Sequence, residues 1–193
     1  MNKQLLLIFY EVLMFSITFG QSNLIESQNI SQFIPKDYSI LNLTKGDLNL
    51  DSIADIILVL NLNGEDSLSS IENPVKRKFL ILIGQADNSY ILFNQNDNIV
   101  YFYGYDLNFK EAFVDIIIGK GIFSIDHYGG FTYRWGRSTA FSYDASENNW
   151  FLSMDNYSTF NVTDLDEQGT EKLINTKNYN KLSFDKFDIY KDW

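Results

Sequence analysis

The stretch that decides the fold runs from Phe131 to Asp144 and reads FTYRWGRSTAFSYD. Its large side chains alternate with small or polar ones, so one face of an extended chain would hold Phe131, Tyr133, Trp135, Arg137, Thr139, Phe141 and Tyr143. A period of two residues is typical of a β-strand, in which successive side chains point to opposite faces of the sheet. The stretch predicts a long antiparallel strand whose aromatic face forms one wall of a core. The alternative is an exposed platform that stacks on a carbohydrate or peptide.

The neighbouring sequence continues this pattern of strands and turns. Two apolar runs, Ile53–Leu62 and Phe79–Ile83, predict strands that are buried on both faces. The turn residues Gly119-Lys120-Gly121 lie between two further apolar runs and predict a hairpin over residues 115–126. Residues 63–74 predict a long exposed loop, and the basic residues 76–78 would protect the strand that follows them from aggregation.

Shorter segments complete the predicted architecture. Tyr90–Phe93 and Ile99–Tyr103 are predicted as strands, whereas Thr170–Asn175 is predicted as a short helix. The alternation resumes at Trp150, after a turn that follows Asp144. We therefore expect a mostly β, single-domain protein in which a curled antiparallel or mixed sheet is accompanied by few short helices.

Composition excludes several classes of function. The 193 residues carry a net charge of −10 and include no cysteine and one histidine. The missing cysteine excludes disulfides, thiolate metal sites and a cysteine nucleophile. The strong negative charge argues against nucleic acid as a partner, because binding to phosphates requires clustered cations.

The first twenty residues have the order of a secretory signal. Lys3 precedes a largely apolar run from Leu5 to Phe19, which Glu11 interrupts, and Gly20 offers a small residue at the cleavage position. We predict a signal peptide over residues 1–20 and one β-rich domain over residues 21–193, secreted or periplasmic and without a membrane span once the signal is removed. The alternative is a buried amphipathic N-terminal helix.

Oxygen-bearing side chains recur at alternate positions between residues 47 and 55, which read DLNLDSIAD. The candidate metal ligands are Asp47, Asn49, Asp51, the backbone carbonyl of Ile53, and Asp55. This spacing allows a tight loop to turn successive oxygens toward a hard cation such as Ca²⁺. An EF-hand is excluded because its last ligand position, normally acidic, would hold Leu58. The alternative is a turn in which the Asp and Asn side chains bind their own backbone.

The same segment resembles the calcium-binding loop of FG-GAP/VCBS-type repeats, where an Asp-x-Asn-x-Asp-Gly-x-x-Asp loop leads into a strand. The match occurs once, whereas those families build propellers from several copies. The resemblance implies a structural calcium ion in a secreted or surface protein. It departs from the family at Ser52, where the family usually has glycine. A non-glycine residue in the left-handed conformation costs about 1 kcal/mol.

Six short segments are also similar to a family of uncharacterised exported bacterial proteins. They follow one another over most of residues 21–193 and are Phe33–Pro35, Gly46–Asn49, Leu80–Gln85, Asn96–Asn98, His127–Gly130 and Phe141–Asp144. This resemblance implies export and a single β-rich domain. It implies no particular activity.

His127 is the single histidine, so any histidine-dependent chemistry relies on it. It continues the inward face of the predicted strand before it, which favours a structural, hydrogen-bonded role. The functional alternative groups His127 with Asp126 and Tyr128 at a strand end, with Arg137 orienting a substrate. The candidate catalytic residues are therefore His127, Asp126 and Arg137.

These observations leave three functional hypotheses. The first is an exported, non-enzymatic binding or interaction protein, stabilised by calcium at the acidic loop, whose partner is a protein or glycan in the envelope or outside the cell. The second is a hydrolase of an envelope or extracellular polymer that uses His127. The third is a purely structural domain in which the acidic loop is only a turn.

Overall fold

A computed structural model describes residues 30–163, the backbone of residues 170–174, and residues 181–191. The chain divides into a short unit, residues 1–35, and a larger unit, residues 36–193. In the described part of the short unit, a 3₁₀ helix spans Ser31–Phe33. Residues 1–20, for which we predict a signal peptide, lie outside the described residues.

The larger unit is built from two antiparallel sheets. The first has the order β1-β2-β3-β4, with the bounds Tyr38–Gly46, Asp55–Leu62, Lys78–Gly84 and Tyr90–Gln95. The second has the order β5-β6-β7-β8-β9, with the bounds Phe113–Ile118, Ile122–Gly130, Tyr133–Asp144, Asn149–Asn161 and Thr170–Ile174. A single-turn helix, α1, spans Glu65–Leu68, and a 3₁₀ helix spans Phe184–Lys186. The mostly β prediction is confirmed, with two sheets in place of one curled sheet.

Buried side chains from both sheets form one hydrophobic core. The rings of Phe79 on β3 and Phe123 on β6 lie 5.8 Å apart between centroids, and Phe184 packs against both. Other members of the core are Ile57, Val59, Ile81, Ile99, Val100, Ile116, Ile125, Phe141, Trp150, Phe187 and Ile189. The described C-terminal residues therefore complete a core that the strands begin.

The two predicted buried strands are confirmed. Every residue from Asp55 to Leu60 on β2 and from Phe79 to Gly84 on β3 is buried, so neither face of these strands meets solvent. Strands of this kind lack the alternation of half-exposed strands and appear in the sequence as continuous apolar runs.

The long alternating stretch forms β7, which begins at Tyr133 and not at Phe131. Its predicted aromatic face points into the core, because Phe141 and Arg137 are buried and Trp135 packs against the core. Phe131 and Tyr133 at the hairpin tip are 71% and 64% exposed. Most of the aromatic stripe is thus a core wall and not a surface platform.

The predicted strand over residues 99–103 is absent. Residues 99–102 are buried, but their backbone groups bind side chains where a strand would bind a neighbouring strand. The N–H of Tyr101 donates to Nε2 of His127 (3.3 Å), the N–H of Phe102 donates to the hydroxyl of Tyr190 (3.0 Å), and Nη1 of Arg77 donates to the carbonyl of Tyr101 (3.2 Å). Periodicity detects an apolar segment, but it does not distinguish these partners from strand partners.

Two further predictions are corrected. The segment predicted as a helix at Thr170–Asn175 contains strand β9, which pairs with Asp155–Thr159 of β8. This pairing satisfies backbone groups at the edge of β8, and the sequence of the segment alone does not reveal it. The predicted exposed loop 63–74 contains α1, and its Glu65 is buried because it binds Arg77. None of the helices in the described ranges is long and apolar enough to cross a membrane.

We expect Tyr190→Phe to lower the free energy of unfolding by about 1–3 kcal/mol, the cost of leaving buried polar groups unpaired. The Tyr190 hydroxyl accepts from Phe102 N–H and donates to the carbonyl of Val100 (2.8 Å), and phenylalanine satisfies neither group. Urea unfolding at neutral pH measures the change. Tyr133→Phe is the matched control, because Tyr133 is exposed and its loss of a hydroxyl should change stability by less than about 0.5 kcal/mol. Equal effects of the two substitutions would contradict the assignment.

Candidate functional site

The acidic loop before β2 is held together by its own side chains. Asp47 Oδ2 accepts the N–H of Ser52 (3.2 Å), Asn49 Oδ1 accepts the N–H of Asp51 (3.1 Å), and Asp51 Oδ1 accepts the N–H of Ile53 (2.7 Å). These are the bonds that the alternative interpretation as a turn requires.

The end of the loop is fixed to the sheet by Asp55. This residue is fully buried, and its two carboxylate oxygens accept the N–H groups of Leu48 (2.8 Å) and Gly84 (2.9 Å). Burial raises the pKa of Asp55, and the backbone hydrogen bonds act in the opposite direction. Ser52 adopts the left-handed conformation that the motif predicts, with φ of 68°.

One unpaired oxygen atom supports the binding of a cation by this loop. Oδ1 of Asp47 is buried and has no hydrogen-bond partner, so one carboxylate oxygen is available to a ligand. No group of three or more Asp, Glu, His or Cys side chains is placed to hold a metal ion among the residues that the structure describes. Calcium binding at Asp47, Asn49, Asp51, Ile53 and Asp55 therefore stays a prediction.

His127 lies on β6 and is 3% exposed. Its Nε2 accepts the N–H of Tyr101, so the ring proton resides on Nδ1, which has no hydrogen-bond partner. Burial lowers the pKa of His127 to about 3, and the positive charges of Arg137 and Arg77 act in the same direction. The imidazole is neutral at physiological pH and is sealed from solvent.

Arg137 faces the same buried region and is fully engaged by other groups. It forms a two-pronged ion pair with Asp155, at 2.9 Å from Nε to Oδ1 and 2.7 Å from Nη2 to Oδ2. Its Nη1 donates to the hydroxyl of Tyr101 (2.9 Å) and to the carbonyl of Ile189 (3.0 Å). Burial disfavours the charged guanidinium, but the hydrogen bonds and charge interactions of Asp155 and Tyr101 together outweigh it and raise the pKa of Arg137.

A second buried arginine was not predicted as a site residue. Arg77, 1% exposed, binds Glu65 (2.6 Å) and binds Glu111 through both terminal nitrogens (2.7 and 2.6 Å). Together, Arg77, His127, Arg137 and the residues that they bind form what we call the buried polar layer. The basic segment 76–78, which is predicted to protect the following strand from aggregation, therefore also contributes Arg77 to a buried ion-pair network.

The structure brings His127 and Arg137 together in the core, as neighbours on β6 and β7, but it does not bring the side chain of Asp126 to them. Asp126 and Tyr128 flank His127 on one strand, so their side chains lie on the opposite face of the sheet. Asp126 accepts a hydrogen bond from the Ser138 hydroxyl (2.6 Å) on that face. His127 is therefore neither exposed to a substrate nor paired with a carboxylate as in a catalytic triad.

An open cavity of about 530 Å³ lies near the buried polar layer. Its lining residues, which define the aromatic cavity, are Ile71, Pro74, Lys76, Phe102, Tyr105 and Tyr190. The rings of Phe102 and Tyr190 stack with centroids 5.8 Å apart, and Tyr105 meets both rings edge to face at 5.7 and 6.2 Å. A cavity of this volume falls within the range of about 300–1,000 Å³ that is typical of small-molecule sites.

Comparisons with known proteins do not extend this description. No protein-family model matches the chain, no curated protein matches it, and no solved structure matches it. The resemblances to FG-GAP/VCBS loops and to exported bacterial proteins therefore rest on the sequence segments alone.

We expect the buried histidine to make the protein sensitive to mild acid. The unfolded chain binds a proton at His127 near pH 6.5, whereas the folded chain does so only near pH 3, so protons favour unfolding between these values. The free energy of unfolding should fall by about 1.4 kcal/mol per pH unit below pH 6.5. Urea unfolding at pH 7, 6 and 5 measures this slope.

The matched variant is His127→Gln, which keeps an acceptor for the Tyr101 N–H but does not titrate. Because the chain has one histidine, the difference in slope between the two proteins reports His127 alone. Identical slopes between pH 7 and 5 would show that His127 is accessible and protonated normally in the folded state.

Proposed function

We propose that the chain is an exported, non-enzymatic binding protein that holds its ligand in the aromatic cavity. The observation that carries this proposal is the cavity itself, whose walls come from three segments far apart in the sequence. Ile71, Pro74 and Lys76 precede β3, Phe102 and Tyr105 follow β4, and Tyr190 lies near the end of the chain. Convergence of distant segments on one aromatic pocket with a single charged group is typical of ligand sites.

The aromatic walls of the cavity are held in place by hydrogen bonds and ring packing, which favours binding. The Tyr190 hydroxyl is bound at both sides by backbone groups, and Phe102 is 5% exposed. Tyr105 stacks on Tyr101 with ring centroids 3.8 Å apart, and Tyr101 in turn binds Arg137. A pocket whose walls are already ordered loses little conformational entropy when a ligand enters.

The state of the ionisable groups supports binding in preference to hydrolysis. His127 is buried and neutral, and the guanidinium of Arg137 is bound by Asp155, Tyr101 and Ile189. Neither group reaches the aromatic cavity wall. Hydrolysis of a polymer by the purified chain that is lost in His127→Gln would contradict the proposal.

We propose further that Ca²⁺ stabilises the chain at the acidic loop and that the ion is structural. The loop leads directly into β2, the central buried strand that Asp55 begins, so an ion at the loop would stabilise the start of that strand. The free Oδ1 of Asp47 supports this role.

A neutral apolar dye tests the binding site without regard to ligand charge. We expect Nile red to bind the folded chain with increased fluorescence, and Ile71→Glu to weaken its affinity about fivefold, equivalent to about 1 kcal/mol. The weakening follows because a carboxylate in the wall must lose hydration when the dye enters. The readout is a fluorescence titration at constant protein concentration.

The control for that titration is Ile117→Glu. Ile71 and Ile117 are 53% and 58% exposed, so the two substitutions remove comparable apolar surface and add the same charge, but Ile117 does not line the cavity. We expect Ile117→Glu to bind the dye as the wild-type chain does. Equal affinities of all three proteins would place the dye elsewhere and contradict the proposed site.

The calcium proposal is tested by thermal unfolding with millimolar Ca²⁺ and with a chelator. A ligand at a hundred times its dissociation constant adds about 2.7 kcal/mol, which raises the Tm of a chain of this size by about 5–10 °C. Asp47→Asn should abolish the shift, because it removes the charge but keeps an acceptor for Ser52 N–H. Asp87→Asn is the control, since Asp87 also binds its own turn through Ser89. An unchanged Tm would identify the loop as a turn only.

A further inference from the structure

We infer that the aromatic cavity takes a small organic carboxylate with an aromatic or branched apolar body, and that Lys76 supplies the counter-charge. This inference rests on the proposed function, because it names the ligand class of the same site.

Lys76 is the one charged residue among those that line the aromatic cavity. Its Nζ lies 5.2 Å from the ring centroid of Tyr190 and donates a hydrogen bond to the side-chain carbonyl of Asn98. It forms no ion pair with any residue in the described ranges, whereas Arg77 and Lys78 on either side are paired with Glu65, Glu111 and Asp97. The ammonium group of Lys76 is therefore a positive charge at the cavity wall that no carboxylate among the described residues neutralises.

A cationic ligand is disfavoured at the same place. Aromatic rings attract cations over their faces, so an aromatic cavity alone could take an ammonium ligand. The ring of Tyr190 already has Lys76 over it, and a second cation beside Lys76 would be repelled. The phenol hydroxyl of Tyr190 is committed to Phe102 and Val100, so it does not compete for a ligand. The pattern of charge therefore selects an anion.

The rest of the lining selects an apolar body. Phe102, Tyr105 and Tyr190 present rings, and Ile71 and Pro74 complete the wall with aliphatic groups. Aromatic groups pack edge to face or offset against such rings with centroids about 4.5–7 Å apart. A flat or branched apolar group in the cavity with its carboxylate at Lys76 satisfies both parts of the lining.

Three probes with one indole body and different charges test the inference by calorimetric titration at pH 7. They are indole-3-acetate, indole-3-acetamide and tryptamine, which are anionic, neutral and cationic. We expect the wild-type chain to bind indole-3-acetate about tenfold more tightly than tryptamine, since an exposed ion pair contributes up to about 1 kcal/mol and the reversed charge costs a similar amount. Lys76→Glu should invert this order of affinities, whereas Lys76→Arg should keep the wild-type order.

Lys120→Glu is the control for charge alone, because Lys120 is an exposed lysine in the β5–β6 turn that does not line the cavity. It should leave the order of the probes unchanged. Equal binding of indole-3-acetate and tryptamine in both the wild-type chain and Lys76→Glu would overturn the ligand class and leave the binding site intact. Failure of all three probes to bind would overturn the site, and with it the proposed function.

Discussion

The need to satisfy buried backbone groups at residues 99–102 determines the arrangement of much of this molecule. The segment passes through the core without joining a sheet, yet buried N–H and C=O groups must find partners. They find them in His127, Arg77 and Tyr190. These hydrogen bonds hold each of the three side chains in one position. The positions of His127, Arg77 and Tyr190 are therefore tied to a strand that does not form at residues 99–102.

The chemistry of the single histidine follows from this constraint. An imidazole that accepts a backbone N–H beside two arginines is a weak base, because its lone pair is occupied and its protonated form is disfavoured. Its burial also keeps it away from a substrate. The same constraint fixes Tyr190, whose ring becomes a wall of the aromatic cavity. Tyr190 therefore has two roles: its hydroxyl binds the buried backbone, and its ring forms part of the cavity wall.

Local periodicity determines which strands can be predicted from the sequence. The alternation in β7 and the continuous apolar runs of β2 and β3 specify strands because the side chains repeat within one segment. The segment that contains β9 predicts a helix, because the pairing of β9 with β8 is not encoded in the five residues of the strand. The apolar run at residues 99–103 predicts a strand, because a buried apolar segment has the same sequence pattern whatever binds its backbone.

The residues of the candidate sites divide in the same way. The acidic loop is visible in the sequence because its oxygens follow one another within nine positions, and the left-handed Ser52 agrees with the motif. The partners of Arg77 lie 12 and 34 residues from it, and the walls of the aromatic cavity come from residues as far apart as Ile71 and Tyr190. Such sites exist only after the chain has folded, so no spacing rule detects them.

The late position of Phe184, Phe187 and Ile189 has a consequence for how the chain folds during synthesis. These residues fill the core, and Asn96 donates hydrogen bonds to the carbonyls of Phe184 (2.6 Å) and Phe187 (2.9 Å). These residues are synthesised after the strands against which they pack, so the strands emerge from the ribosome before the core can be filled. The core therefore cannot close until residues 184–189 have been synthesised, and the strands before them lack their full apolar packing until then.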